Sequence, residues 1–344
     1  MTEAIDQHTF PGASVAVTRS GNLVAHQAFG RFTYEQSSPQ VTTDTIFDLA
    51  SLTKVIATTS MVMILYERGL LDLDMPIVQV LPEFRGGDPR RNEVTFRQLL
   101  AHSSGLPAYE KLYLRAKDRG ELLREALSVR LKCAPGTHAE YSDIGFILLG
   151  VALERIGNES LDTFCKREVF LPLGMADTFY NPSASLKPHI PPTADDRTFR
   201  KRIIQGDVND ENASVMGGVA PHAGLFSMSS DVASFAHAIL NGGAPIVRPE
   251  TVKIFTQRQT SPPGTSRMLG WDSPSGDSQS GIYFSRSSPG HLGYTGTSLW
   301  IDLERKISIT LLTNRTWPDS LNKKIKEVRP KFHNAVMEAL GAAR

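Results

Sequence analysis

The 344-residue chain has only two cysteines, Cys133 and Cys165. Neither belongs to a Cys-x-x-Cys pair, so neither a disulfide framework nor a thiolate-held metal organises the fold. Each reads as a buried free thiol among apolar neighbours. A surplus of either charge is missing too: 37 basic against 36 acidic side chains leave a formal net charge of +1. That balance lacks the basic footprint of a nucleic-acid binder. Long hydrophobic runs are absent, and the most apolar stretch, Met61 to Tyr66, falls far short of the roughly 20 residues that span a bilayer. The beginning of the chain, MTEAIDQHTFPG, lacks the basic-then-apolar order of a secretory leader, so a cytoplasmic location is expected. No Gly-x-Ser-x-Gly elbow of the α/β-hydrolase kind occurs. The acidic cluster Asp207, Asn209, Asp210 and Glu211, with His222 downstream, fits no metal-ligand spacing and reads as loop. No metal and no cofactor are expected.

What is present is a pattern of strands at both ends and helices between. Residues 13–18 and 22–30 read as strands around Ser20-Gly21-Asn22, and 297–302 and 307–313 as strands around the charged turn Leu303 to Lys306. Helices are expected at 51–68, 94–102, 119–132, 143–156, 160–169, 229–240 and 320–341, the last with a break or fresh start at Pro330. Residues 181–222 and 258–290 read as long loops that line a site. The fold class is therefore α+β: an antiparallel sheet flanked by helices, with an inserted, mainly helical lobe. Residues 1–60 and 285–344 are expected to form the sheet domain and 61–284 the helical domain.

The helix at 51–68 is apolar nearly all round, which marks a buried helix. Asp48 is its expected N-cap and Gly69 its end. Ser51 and Lys54 lie on one face of its first turn. A lysine buried there loses proton affinity and can accept the proton of the serine hydroxyl. A capping serine followed by a snorkelling lysine would give the same spacing, so the pair alone does not decide.

The decision comes from resemblance. Ser51-Leu-Thr-Lys54 after Phe47-Asp-Leu-Ala50, the stretch Arg97-Gln-Leu-Leu-Ala-His-Ser-Ser-Gly-Leu-Pro107, and the phrases Gly217-Gly-Val-Ala220 and His222-Ala-Gly-Leu-Phe-Ser227 together resemble the serine β-lactamase and penicillin-binding-protein superfamily. The similarity is to its class C β-lactamase-like branch of carboxylesterases, D-amino-acid peptidases and amidases, and covers about residues 10–340. It implies a β-lactamase/transpeptidase-like fold, with Ser51 as nucleophile, Lys54 as base and Tyr141 as the proton-transfer partner opposite. Tyr141-Ser142-Asp143 departs from the family's Tyr-x-Asn: an ionised carboxylate accepts but cannot donate to a substrate carbonyl. Asp143 could instead neutralise Lys54. His291-Leu292-Gly293 stands where the family has Lys-Thr-Gly on an edge strand, so His291, Leu292 and Gly293, with Asp143, are the expected substrate contacts. The N–H groups of Ser51 and Tyr294 are the expected oxyanion hole. Trp271 and Tyr283 are further candidates for the acyl pocket, and His102 for fixing a loop.

These residues point to a serine hydrolase of carboxylic esters or small amides. The alternatives are a D-amino-acid peptidase, amidase or muropeptide hydrolase, a β-lactamase, and a non-enzymatic binder on the same fold. The partner is a small-molecule ester or amide, with no nucleic acid and no membrane span, and the oligomeric state is left open.

Overall fold

The computed structural model describes residues 1–343. Its main sheet has five antiparallel strands: β1 (Gly12–Arg19), β2 (Asn22–Gly30), β3 (Gly290–Leu292), β4 (Ser298–Asp302) and β5 (Ile307–Thr313), in the order β2-β1-β5-β4-β3. Both ends of the chain thus build one sheet. The β1–β2 connection is a two-residue turn in which Ser20 and Gly21 both take positive φ, at 49° and 83°. That is the turn whose twist matches the strands it joins.

Strands β1 and β5 are buried on both faces. Val15 pairs with Leu311 and Val17 with Ile309. These four pack against the C-terminal helix Ile325–Ala339 in a small core that also holds Phe10 and Trp300. Each such aliphatic side chain contributes about 1.5–3 kcal/mol on burial. The opposite face of β1 carries the short Ser14 and Ala16, which lets the helix Ser229–Leu240 sit close. Ser14 Oγ lies 2.7 Å from Ser229 Oγ. This helix falls in the range 61–284 assigned from sequence to the helical lobe, yet it packs on β1, β4 and β5. The sheet layer therefore recruits a helix from the middle of the chain.

The remaining helices gather in one large core. The Lys54 helix runs through its centre, with Leu52, Val55, Ile56, Ala57 and Met61 to Leu65 all buried. Residues Lys54–Thr59 are wound as a π-helix before the α-helix Ser60–Glu67. Gly69, at φ +69°, ends it as expected. Asp48 does not cap it: its carboxylate accepts from Ala50 N–H and Asn209 N–H instead. Pro330 does not break the last helix, which runs through it. The carbonyl that the missing N–H leaves free belongs to exposed Lys326, where water can satisfy it. The stretch 181–222 is only partly loop; it includes the hairpin Ala194–Asp196/Arg202–Ile204 and the short helix Glu211–Val215. Cys165 is buried, but Cys133 is only half-buried. No described helix is long and apolar enough to cross a membrane.

Candidate active site

The chain enters the Lys54 helix through a strained residue. Ala50 has φ +47°, a region that L-residues with a Cβ rarely occupy. Asp48 Oδ1 holds it by accepting the Ala50 N–H at 2.8 Å. Two threonines of the β3–β4 connection fasten the same lead-in: Thr295 Oγ1 donates to the Asp48 carbonyl at 2.8 Å and Thr297 Oγ1 to the Leu49 carbonyl at 2.9 Å. Ser51 is thereby presented at the mouth of a cavity of about 970 Å³.

Around Ser51 Oγ the structure brings together Lys54 Nζ at 3.0 Å and the Tyr141 hydroxyl, which donates to it at 2.7 Å. Lys54 is fully buried; its ammonium donates to Ser51 Oγ and, at 2.9 Å, to the His222 carbonyl, and forms an ion pair with Asp143 Oδ1 at 2.7 Å. The sequence expectation of a lysine with lowered proton affinity is not met. Burial does act in that direction, but the Asp143 carboxylate and Tyr141 outweigh it and hold Lys54 above the ordinary lysine value. Burial, only partly opposed by the Lys54 charge, pushes the Tyr141 hydroxyl up to about 12. At neutral pH both groups rest protonated.

Tyr141 is fixed by a residue assigned from sequence only to a loop. His102 accepts the Ser142 N–H at Nδ1 (3.0 Å), and its own carbonyl accepts the Glu140 N–H (2.9 Å). The residues on both sides of Tyr141 are thus tied to His102, whose ring lies 4.6 Å from the Tyr141 ring. Burial, followed by the charges of Arg267 and Lys54, drives the imidazole well below its usual range, so Nδ1 stays an acceptor.

The edge strand β3 forms the facing wall. The N–H groups of Ser51 and Tyr294 donate to no acceptor among the described residues, and both residues line the cavity. His291, Leu292 and Gly293 line it as well. His291 is buried, with Nδ1 2.8 Å from the Leu292 carbonyl. Burial and the charges of Lys54 and Arg267 push it well below the usual histidine range, so it is neutral. Gly293 is needed for a reason other than substrate access: a Cβ there would lie 1.9 Å from Thr297 Oγ1 and 2.6 Å from the Leu49 carbonyl oxygen. Trp271 is buried against Phe235 and Tyr283 packs beside the sheet core; neither lines the cavity.

Two residues that the sequence did not single out stand behind the β3–β4 turn. Arg315 and Arg329 are both buried, both line the cavity, and neither is paired with a carboxylate among the described residues. Arg315 Nε donates to the Tyr294 carbonyl at 2.7 Å, while Arg329 Nη2 donates to the carbonyls of Gly293 and Thr297 at 2.6 and 2.8 Å. Arg329 Nε has no hydrogen-bond partner among the described residues. Burial and the neighbouring Arg315 charge depress Arg329 to about 9. Nothing in their sequence context marks them, since a basic residue near the chain end is usually a solvated one. Of the acidic cluster, Asp207 pairs with Lys187 and Arg202. Asp210 meets His222 Nε2 at 2.9 Å and lines the cavity with Asn209 and Glu211. No group of metal-ligating side chains occurs among the described residues.

The family model described as beta-lactamase matches residues 1–329. The chain is 32% identical over 343 residues to the N-acetylmuramyl-L-alanine amidase of Bacillus subtilis (strain 168), covering 89% of this chain and 77% of that protein. It is 30% identical over 343 residues to a candidate D-alanyl-D-alanine carboxypeptidase of Escherichia coli (strain K12), covering 89% and 79%. Among solved structures it resembles EstCE1, a hydrolase with promiscuous acyltransferase activity, at a TM-score of 0.76 and 22% identity, over 95% of this chain and 96% of that one.

Proposed function

Because the chain belongs to the β-lactamase family of hydrolytic enzymes, we propose that it cleaves amide bonds in carboxylate-bearing peptides, of the D-amino-acid or muropeptide kind, through an acyl-enzyme on Ser51. The observation that carries the substrate class is the pair Arg315 and Arg329. Two buried guanidinium groups held by carbonyl and amide oxygens alone favour an anion seated against them, even in a cavity that acidic side chains also line, and a substrate carboxylate supplies it. The names of the two relatives favour the same class.

Ser51 Oγ attacks the carbonyl carbon while its proton leaves toward Lys54. The oxyanion accepts from the free N–H groups of Ser51 and Tyr294. Tyr141, protonated at rest, is placed to give its proton to the departing nitrogen, and its phenolate then activates the water that releases the acyl group. Ester hydrolysis, which the sequence favoured, is a second reading supported by the neutral His291: without a cation on β3, uncharged acyl and alcohol groups meet no electrostatic penalty.

A panel of D-alanyl-D-alanine and N-acetylmuramyl-L-alanine substrates, a short chromogenic ester and a cephalosporin tests the reading. The peptide-type substrates should give the highest kcat/KM, and Arg315→Gln should raise KM for them while leaving the uncharged ester nearly unchanged. Equal effects on both would remove the carboxylate assignment. A phosphonate ester should label Ser51 in the parent and nothing in Ser51→Ala, and Tyr141→Phe should lower kcat by at least about 10²-fold. The losses in Ser51, Lys54 and Tyr141 variants should not add, because the three act as one unit.

A further inference from the structure

A lysine that already carries three protons cannot take a fourth. Lys54 rests as an ammonium, hydrogen-bonded to Ser51 Oγ and the His222 carbonyl and ion-paired with Asp143, so it must shed one proton before it can accept that of Ser51. Its contacts offer few places for it. The His222 carbonyl is not basic, and Ser51 Oγ is the group to be deprotonated. Asp143 Oδ1, 2.7 Å from Nζ, is the one carboxylate in ion-pair contact with it among the described residues. Asp143 is the first residue of the helix Asp143–Gly157, and its backbone is pinned on both sides: its N–H donates to the Ala108 carbonyl at 2.8 Å, and Ser142 precedes it on His102. The other titratable or charged groups around the pair are Tyr141 on its own segment, Tyr109, His102, His291 and Arg267, with Asp210, Glu211 and His222 from the 207–222 stretch. None of these offers a second base at Nζ.

We propose that Asp143 is a proton relay behind Lys54, taking one ammonium proton as Lys54 takes the proton of Ser51. The inference rests on the Ser51 acyl-enzyme reading. In the step, a Lys54 Nζ–H bond breaks and an Asp143 Oδ1–H bond forms. The Ser51 Oγ–H bond breaks and a new Nζ–H bond forms in its place. The Oγ electron pair makes the bond to the substrate carbonyl carbon, whose π pair moves onto the oxygen. When the leaving group departs with the Tyr141 proton, Asp143 keeps its own; the phenolate then takes a proton from the attacking water, and as the acyl group leaves, Lys54 returns a proton to Ser51 Oγ and Asp143 returns one to Lys54, so every group ends as it began. An amide at position 143 could hold Lys54 in place but could not take this proton.

The test is the pre-steady-state acylation rate against pH for the parent, Asp143→Asn and Asp143→Glu. Asp143→Asn keeps the shape, and its rate near neutrality should fall by about 10²-fold or more. Its acid limb should move to alkaline pH, where Lys54 itself loses a proton, with activity partly recovered there. Asp143→Glu should retain the parent's limb. An Asp143→Asn variant that acylates as fast as the parent or faster at neutral pH would overturn the relay, because Lys54 freed of its carboxylate would then be the base unaided. A proton inventory in H₂O–D₂O mixtures, run on the parent alone, decides the matter even if a variant does not fold: two protons in flight give a bowed plot, and a straight line refutes the proposal. Phosphonate labelling of Ser51 in the same preparations separates the two levels. Loss of labelling in the parent would defeat the acyl-enzyme reading, whereas labelling with a straight inventory would defeat only the relay.

Discussion

At the scale of single residues, the site depends on hydrogen bonds between side chains and backbone groups. Lys54 is fixed by the His222 carbonyl, Ala50 by the Asp48 carboxylate and Tyr141 by His102. His102 itself sits at φ +54°, where asparagine is the best tolerated residue with a side chain. His102→Asn keeps both the backbone geometry and an acceptor close to Nδ1, and is expected to retain activity within about tenfold. His102→Leu removes the acceptor, lets Tyr141 drift and should lower kcat by up to about 10²-fold with little change in KM, since small misplacements of a catalytic group have effects of that size. Steady-state kinetics of the two variants, with circular dichroism to confirm folding, check this. Equal losses in both would mean that the imidazole has a role beyond accepting the Ser142 N–H.

At the scale of elements, the cleft is made where the lead-in to the Lys54 helix touches the β3–β4 turn. Gly293 is the point of closest approach, and Arg329 on the C-terminal helix clamps the same turn through the Gly293 and Thr297 carbonyls. A methyl group at 293 must push the turn off Thr297 and Leu49, carrying the Tyr294 N–H away from Ser51. Gly293→Ala is therefore expected to lower kcat by about 10²-fold, the effect of losing one oxyanion donor, and to destabilise the fold by about 1–3 kcal/mol through overpacking. Kinetics and thermal melting on one preparation test both parts. A melting shift without a kinetic loss would show that the turn recovers its place.

At the scale of the whole molecule, the sheet, the cleft and the C-terminal helix meet at His333. It is buried, with Nδ1 2.9 Å from the Gln279 carbonyl and Nε2 3.2 Å from Ser298 Oγ. Burial depresses it to about 3, against about 6.5 in an unfolded chain. The unfolded state therefore takes up a proton that the folded state refuses. The stability this group contributes is complete above about pH 6.5 and is lost as the pH falls toward 3. Melting temperatures measured from pH 7.5 to 4.5 should fall, and His333→Gln should fall less steeply over the same range. A parallel pair of curves would assign the acid sensitivity to other groups.

The strands, most helices, the burial of the Lys54 helix and the grouping of Ser51, Lys54 and Tyr141 as candidates were all legible along the chain. The elements rest on local pattern, that is alternation, helical spacing and turn residues, and the grouping of the three side chains on the resemblance to the β-lactamase and penicillin-binding-protein superfamily. Trp271 shows the limit of such reading, since a tryptophan in a loop-rich stretch reads as a cleft residue and is in fact stacked under the helix Ser229–Leu240. The long-range facts came only with the tertiary structure. The pairing of Asp143 with Lys54 was an option read from the sequence, but only the fold shows that it outweighs burial and leaves Lys54 an ammonium at rest. The tertiary structure also folds His291 onto its own strand as a neutral group and places Arg315 and Arg329 in one cavity, held by carbonyl oxygens rather than by ion pairs. Protonation and charge pairing depend on what lies within a few ångströms in space, and those neighbours are separated by tens to hundreds of residues in the sequence.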